Sequence, residues 1–168
     1  RHDLDGDLRL RHGRHGGEAG LTARDAIEAV LGEEPRSLVA VPGGDLNDAY
    51  RVTLADGAVV FAKTSPDAPP GAFAAEAAGL RWLGEAAREG IAVPRVRGAG
   101  DTALVLQWLE REPRSPDFDA RFGRGLATVH RAGAAAFGAT PHGGPTFLGP
   151  LVLPNDAAGP APTWGAFH

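Results

Sequence analysis

The sequence predicts an α+β domain: a five-stranded antiparallel sheet with one long helix inserted after the third strand. Three observations predict it. Short segments such as Tyr50, Val52 and Leu54 alternate apolar with polar residues, the period of a half-buried strand. Asp56-Gly57 between two such segments is a hairpin turn. Residues 72–88 instead repeat their apolar side chains at spacings of three and four, the period of a helix. The 168 residues include 24 Gly and 14 Pro, yet 43% are hydrophobic, which suffices for a packed core.

Taken in order, residues 1–20 are Arg, His, Asp and Gly with almost no apolar periodicity, and read as a disordered or extraneous extension. Asp3, Asp5 and Asp7 resemble the start of a calcium loop, but Leu8 stands where its Gly belongs and Arg14 where its last acid belongs. Thr22 then predicts a helix N-cap with Asp25 at the capping-box position, Ile27, Val30 and Leu31 its apolar stripe, and Gly32 its stop. Strands are predicted at Leu38–Val41, Tyr50–Leu54 and Ala58–Lys63. A Pro- and Asp-rich linker, Ser65–Gly71, leads to the long helix, Ala72–Arg88. Pro94 opens a fourth strand, Gly100-Asp101 turns the chain, and Thr102–Leu109 is the fifth. Ser115-Pro116 reads as an N-cap with Pro at the first helical position, before a helix with Phe118, Phe122, Leu126 and Val129 on one stripe. From Gly138 the chain is mostly turn residues, with an apolar patch at Phe147–Leu153. The expected division is 21–109 as an N-terminal lobe and 110–168 as a hinge and the start of a second, incomplete lobe.

Charge and composition exclude several classes. A net charge of -4 lacks the basic excess of a nucleic-acid footprint. No run approaches the 18 or more apolar residues of a membrane span, and no signal-peptide pattern is seen, so the cytoplasm is the expected compartment. Absence of Cys removes disulfides, thiolate zinc sites and a Cys nucleophile. Absence of Met predicts a processed chain or a fragment. Among 17 basic residues, 16 are Arg and one is Lys63, which directs attention to a role for a compact point charge that a planar guanidinium does not fill.

Lys63 shares its strand face with Val59 and Phe61, because side chains alternate along a strand. On the following helix Phe73, Glu76, Ala77, Leu80 and Leu83 form one stripe, which sets a carboxylate among apolar groups, a costly place unless it is paired. Lys63 and Glu76 are therefore expected to pair; the alternative is that each reaches solvent independently. In the first hairpin, Gly43-Gly44 lets backbone N–H groups approach an anion, or simply makes a turn; it matches neither G-x-G-x-x-G nor a Walker A loop. Leu104–Leu109 runs directly into a polar connector, Glu110 to Pro113, and the backbone groups at such a strand end can read a base edge.

A Gly-turn hairpin, a strand Lys, a helix Glu and a hinge strand, in that order, resemble the ATP-grasping lobe of the protein-kinase-like fold. More narrowly, Gly43-Gly44-Asp45-Leu46-Asn47-Asp48-Ala49-Tyr50, Phe61-Ala62-Lys63-Thr64, the run Phe73–Leu83, Leu126–Gly133, Thr146-Phe147-Leu148-Gly149 and Trp164-Gly165-Ala166-Phe167 resemble the fructosamine kinase (ketosamine-3-kinase) family, over roughly residues 38–168. The resemblance implies ATP and Mg²⁺ as cofactors, and phosphorylation of the sugar 3-hydroxyl of ketosamines on glycated amines and proteins, which destabilises the adduct and repairs the glycation. A monomer without nucleic-acid or membrane partners is expected beside it. Carried across, Lys63 holds the α/β-phosphates, Glu76 orients Lys63, Gly43 and Gly44 cover the phosphates, and Asn47 belongs to the same nucleotide-binding hairpin. The Gln107 carbonyl and the Leu109 N–H read adenine. Phe61 either stacks on adenine or packs in the core. His130, near a helix C-terminus, reads as structural rather than catalytic.

The family's His-Gly-Asp…Asn loop and later metal-binding Asp have no counterpart here. After His130 the only acidic residue is Asp156, and His142-Gly143-Gly144 is not His-Gly-Asp. No catalytic or metal-ligating residue is therefore assigned in this chain, a catalytic Asp is expected beyond His168, and the 168 residues alone are expected to be inactive. Two alternatives stand beside this reading. One is another small-molecule kinase of the aminoglycoside or choline phosphotransferase type. The other is a non-catalytic nucleotide-binding fragment, or a poorly folded product betrayed by exposed apolar residues on the Phe118 helix.

Overall fold

The structure, a computed structural model, describes residues 21–43, 46–87, 91–153, 155 and 163. The predicted extension at 1–20 lies outside the described residues, as do Gly44 and Trp164–Phe167. Helix α1 spans Ala23–Leu31. The Thr22 hydroxyl accepts from the Asp25 N–H, and Asp25 accepts from the Thr22 N–H, completing the capping box. Gly32 ends the helix in the left-handed conformation, its N–H donating to the Glu28 carbonyl.

Five strands follow: β1 (Ser37–Ala40), β2 (Asp48–Thr53), β3 (Val59–Thr64), β4 (Val96–Ala99) and β5 (Ala103–Gln107). They form one antiparallel sheet in the order β1-β2-β3-β5-β4, so β3 is central, flanked by β2 and β5. Helix α2 (Ala72–Ala86) lies between β3 and β4 in the chain, as the helical period predicts. This is the α+β fold read from the sequence.

Burial along β3 alternates strictly. Val60, Ala62 and Thr64 are buried, while Val59, Phe61 and Lys63 are half-buried. Each parity serves a different helix. Val60 and Ala62 pack with Val52, Leu54, Val105 and Ile27 of α1. Phe61 packs against a second core of Phe73, Ala77, Leu104 and Leu106, on the face that carries α2. The sheet is thus covered on both sides, which explains why β5 is buried at four successive positions, Ala103–Leu106. On the α1 side the approach is close. A Cβ on Gly98 would come within 2.6 Å of Val30 Cγ1 and 3.1 Å of the Val30 carbonyl oxygen.

Three expectations change. Leu83 is exposed, because the buried stripe of α2 ends near Leu80. Helix α3 (Phe118–Ala132) begins later than Ser115-Pro116 suggests: Asp117 is the N-cap residue, without a side-chain cap bond. Ser115 donates instead to the Asp117 carboxylate at 2.6 Å, which holds that carboxyl below its ordinary range. The apolar patch at Phe147–Leu153 is a true hairpin, β6 (Thr146–Leu148) paired with β7 (Leu151–Leu153) around Gly149-Pro150. β6 packs against α2. Phe118, Phe122 and Leu126 of α3 are exposed, and the two Phe rings stack at 5.9 Å.

Candidate functional site: a lysine–carboxylate pair in a cleft

β3 delivers Lys63 and α2 delivers Glu76 to the same point. The Lys63 Nζ donates to both carboxylate oxygens, at 2.9 Å to Oε1 and 2.8 Å to Oε2. Their side chains are 24% and 39% exposed, so the pair is neither sealed in the core nor free in water. That answers the question posed by an acid within the apolar stripe: Phe73 and Ala77 beside Glu76 are buried, and Glu76 meets the ammonium at the core's edge. The pair leaves Lys63 one of its three N–H donors for a third partner.

The pair opens into a cleft of about 570 Å³, within the range of small-ligand sites. Leu46 and Asn47 bound it on the hairpin side, and Ser65, Asp67 and Pro69 of the β3–α2 linker bound another. The β6–β7 hairpin, from Thr146 to Pro150, forms the far wall. Above it, Val41 N–H bonds the Ala49 carbonyl at 2.8 Å, so the β1–β2 hairpin stays paired up to its Gly turn. Gly43 turns there with φ of 116°, a backbone state that side-chain-bearing residues seldom adopt.

Of the residues singled out from the sequence, Asn47, Lys63 and Glu76 line this cleft together, while Gly43 is not among its lining residues. Gly44 lies outside the described residues. Phe61 and Gln107, further along the same sheet, and Leu109 stand apart from the cleft lining. Gln107 donates its N–H to the Arg95 carbonyl at 2.7 Å, and its side-chain oxygen accepts from Arg95 Nε at 3.3 Å. Leu109 is exposed just beyond β5, and His130 is exposed in the last turn of α3. Ser65, Asp67 and the β6–β7 wall were not anticipated. Ser65 lies two residues past Lys63 and so repeats its parity, but the hairpin wall is hidden in a Gly- and Pro-rich run.

The family model for fructosamine kinase matches residues 22–167. The chain belongs to the fructosamine kinase family. It is 40% identical over 125 residues to a protein of Thermus thermophilus named "Probable ketoamine kinase", covering 74% of this chain and 41% of that protein. A Synechocystis protein of the same name is 37% identical over 120 residues, covering 63% and 39%. Among solved structures, a Thermobifida fusca protein bearing the name fructosamine-3-kinase superposes with a TM-score of 0.71 at 37% identity, covering 87% of this chain and 49% of that one. A Haemophilus somnus protein at 23% identity and a TM-score of 0.62 shares the fold. This fructosamine kinase chain therefore spans less than half the length of these relatives. No helix of the described residues is long and apolar enough to cross a membrane.

Proposed function

We propose that the chain is the nucleotide-grasping part of an ATP-dependent ketosamine kinase. The observation that carries this reading is the bidentate hold of Glu76 on Lys63, in the lining of a cleft that Asn47 also lines. An ammonium fixed by a carboxylate is a prepositioned point charge, and its remaining donor is free to meet a phosphate oxygen. Family membership supports ATP as the nucleotide, and glycated amines or proteins as the acceptors. Asn47 and the Gly43-Gly44 turn would close over the phosphates, while Phe61, Gln107 and Leu109 would lie towards the base. The proposed compartment is the cytoplasm, and the proposed state a monomer.

Mg²⁺ would screen the phosphates, yet the described residues hold no group of three His, Asp or Glu able to ligate a metal. Beyond His130 the sequence offers a single carboxylate, Asp156, to accept a hydroxyl proton. The 168-residue chain is accordingly proposed to bind nucleotide without turning it over.

Calorimetric titration of the chain with ATP tests the reading. Micromolar to millimolar binding that weakens about tenfold or more in Lys63→Ala is expected; the absence of binding, or binding indifferent to Lys63→Ala, would overturn it.

A further inference from the structure

Arg51 lies on the Lys63 face of the sheet. In the β2–β3 register Ala49 stands opposite Lys63 and Arg51 opposite Phe61. The Arg51 guanidinium carbon nevertheless sits 5.5 Å from the ring centre of Trp108, the first residue past β5. Because β2 and β5 flank β3 on opposite sides, the two side chains meet across β3. The indole is fixed in turn, its Nε1–H donating to the Glu110 carboxylate at 2.8 Å. Among the described residues no carboxylate pairs with Arg51, so its charge rests on the aromatic face alone. Arg51 is half-buried, and a planar cation immobilised in that way presents a flat surface rather than a mobile charge.

We propose that Arg51, braced by Trp108, is the platform on which the nucleobase stacks. This inference rests on the nucleotide reading of the Lys63 site. Arg51 stands opposite Phe61 and Trp108 follows Gln107, the partner of Val60, so the braced guanidinium lies two to four residues of strand from Lys63, roughly 7–13 Å at the usual rise. That is a fitting separation for the phosphate and base ends of one nucleotide. Guanidinium planes stack on bases through their π faces, and the contact tolerates different bases because each has such a face. Phe61, by contrast, is engaged with Phe73, Ala77, Leu104 and Leu106. Arg51 is thus the binding residue that sequence spacing does not reveal: only its reach across β3 brings it to Trp108.

The test is calorimetric titration of the full chain and of Arg51→Ala with ATP and, separately, with inorganic tripolyphosphate, which has no base. Arg51→Ala should weaken ATP by about fivefold or more and leave tripolyphosphate unchanged. Arg51→Lys, which keeps the charge and the stem but loses the plane, should fall in the same direction and replaces Arg51→Ala if that variant unfolds. Equal losses for both ligands would make Arg51 a phosphate contact or a purely structural residue, and overturn the proposal. So would unchanged ATP affinity. Failure of the parent chain to bind either ligand would instead bring down the nucleotide reading itself, and this inference with it.

Discussion

Lys63 and Glu76, thirteen residues apart, meet with both carboxylate oxygens within 2.9 Å of one nitrogen. The partial exposure of both side chains keeps this pair from being a large source of stability, since exposed ion pairs contribute about 1 kcal/mol or less. Its consequence is positional. Lys63→Ala should shift the unfolding free energy by no more than about 1 kcal/mol while weakening ATP binding roughly tenfold to hundredfold, the range of a lost charged hydrogen bond. Lys63→Arg should not restore affinity, because a fork cannot occupy the site of a compact ammonium. Glu76→Gln should give an intermediate loss. Thermal melting beside calorimetry separates the two readouts.

Gly98 faces Val30 at a distance no Cβ tolerates. Gly98→Ala should destabilise the domain by about 1–3 kcal/mol through overpacking of α1 against β4. Adding Val30→Ala should recover only part of this, since the Val30 carbonyl oxygen at 3.1 Å remains. Urea denaturation of the two variants checks it.

The α1 cap predicts a pH dependence. The Thr22 hydroxyl, donating at 2.7 Å, and then the Thr22 N–H hold the Asp25 carboxyl below its ordinary range. A carboxyl depressed in the folded state adds stability above its unfolded pKa of about 4, and that stability is lost as pH falls through the lower folded value. Thr22→Ala should therefore melt earlier than the parent chain at neutral pH, with the gap narrowing below about pH 4. A gap independent of pH would mean that Asp25 takes no part.

The exposed stripe of α3 should bind a hydrophobic dye. Phe122→Ser should lower fluorescence of anilinonaphthalene sulfonate bound to the chain. The stability change should stay within about 1 kcal/mol, because the side chain is 44% exposed and mainly loses its stacking on Phe118. An unchanged dye signal would place the dye elsewhere.

The sheet, α2 and the Lys63–Glu76 pair were legible in the sequence because two periodicities constrain them independently. Strand alternation fixes the face of Lys63, and the helical stripe fixes that of Glu76, so their meeting needs no knowledge of distant contacts. The β6–β7 hairpin was not legible: strands of three residues embedded among Gly and Pro carry no measurable period, and their pairing and packing on α2 are tertiary effects. The start of α3 shifted for a local reason, the preference of the Ser115 hydroxyl for Asp117 over a backbone N–H. The reach of Arg51 to Trp108 depends on strand order, with β5 rather than β4 beside β3, and no spacing along the chain records that order.

The alternation of β3 has a consequence for how such a domain can change. Positions 60 and 62 pack towards α1, position 61 joins the core beneath α2, and position 63 enters the cleft. The α1 side of the strand thus serves packing alone, while the other side carries both packing, at Phe61, and the cleft charge, at Lys63. A lineage, or an engineer, can harden the rear of the sheet residue by residue while the front keeps its chemistry. A single inserted or deleted residue within β3 exchanges the two sides and loses both at once.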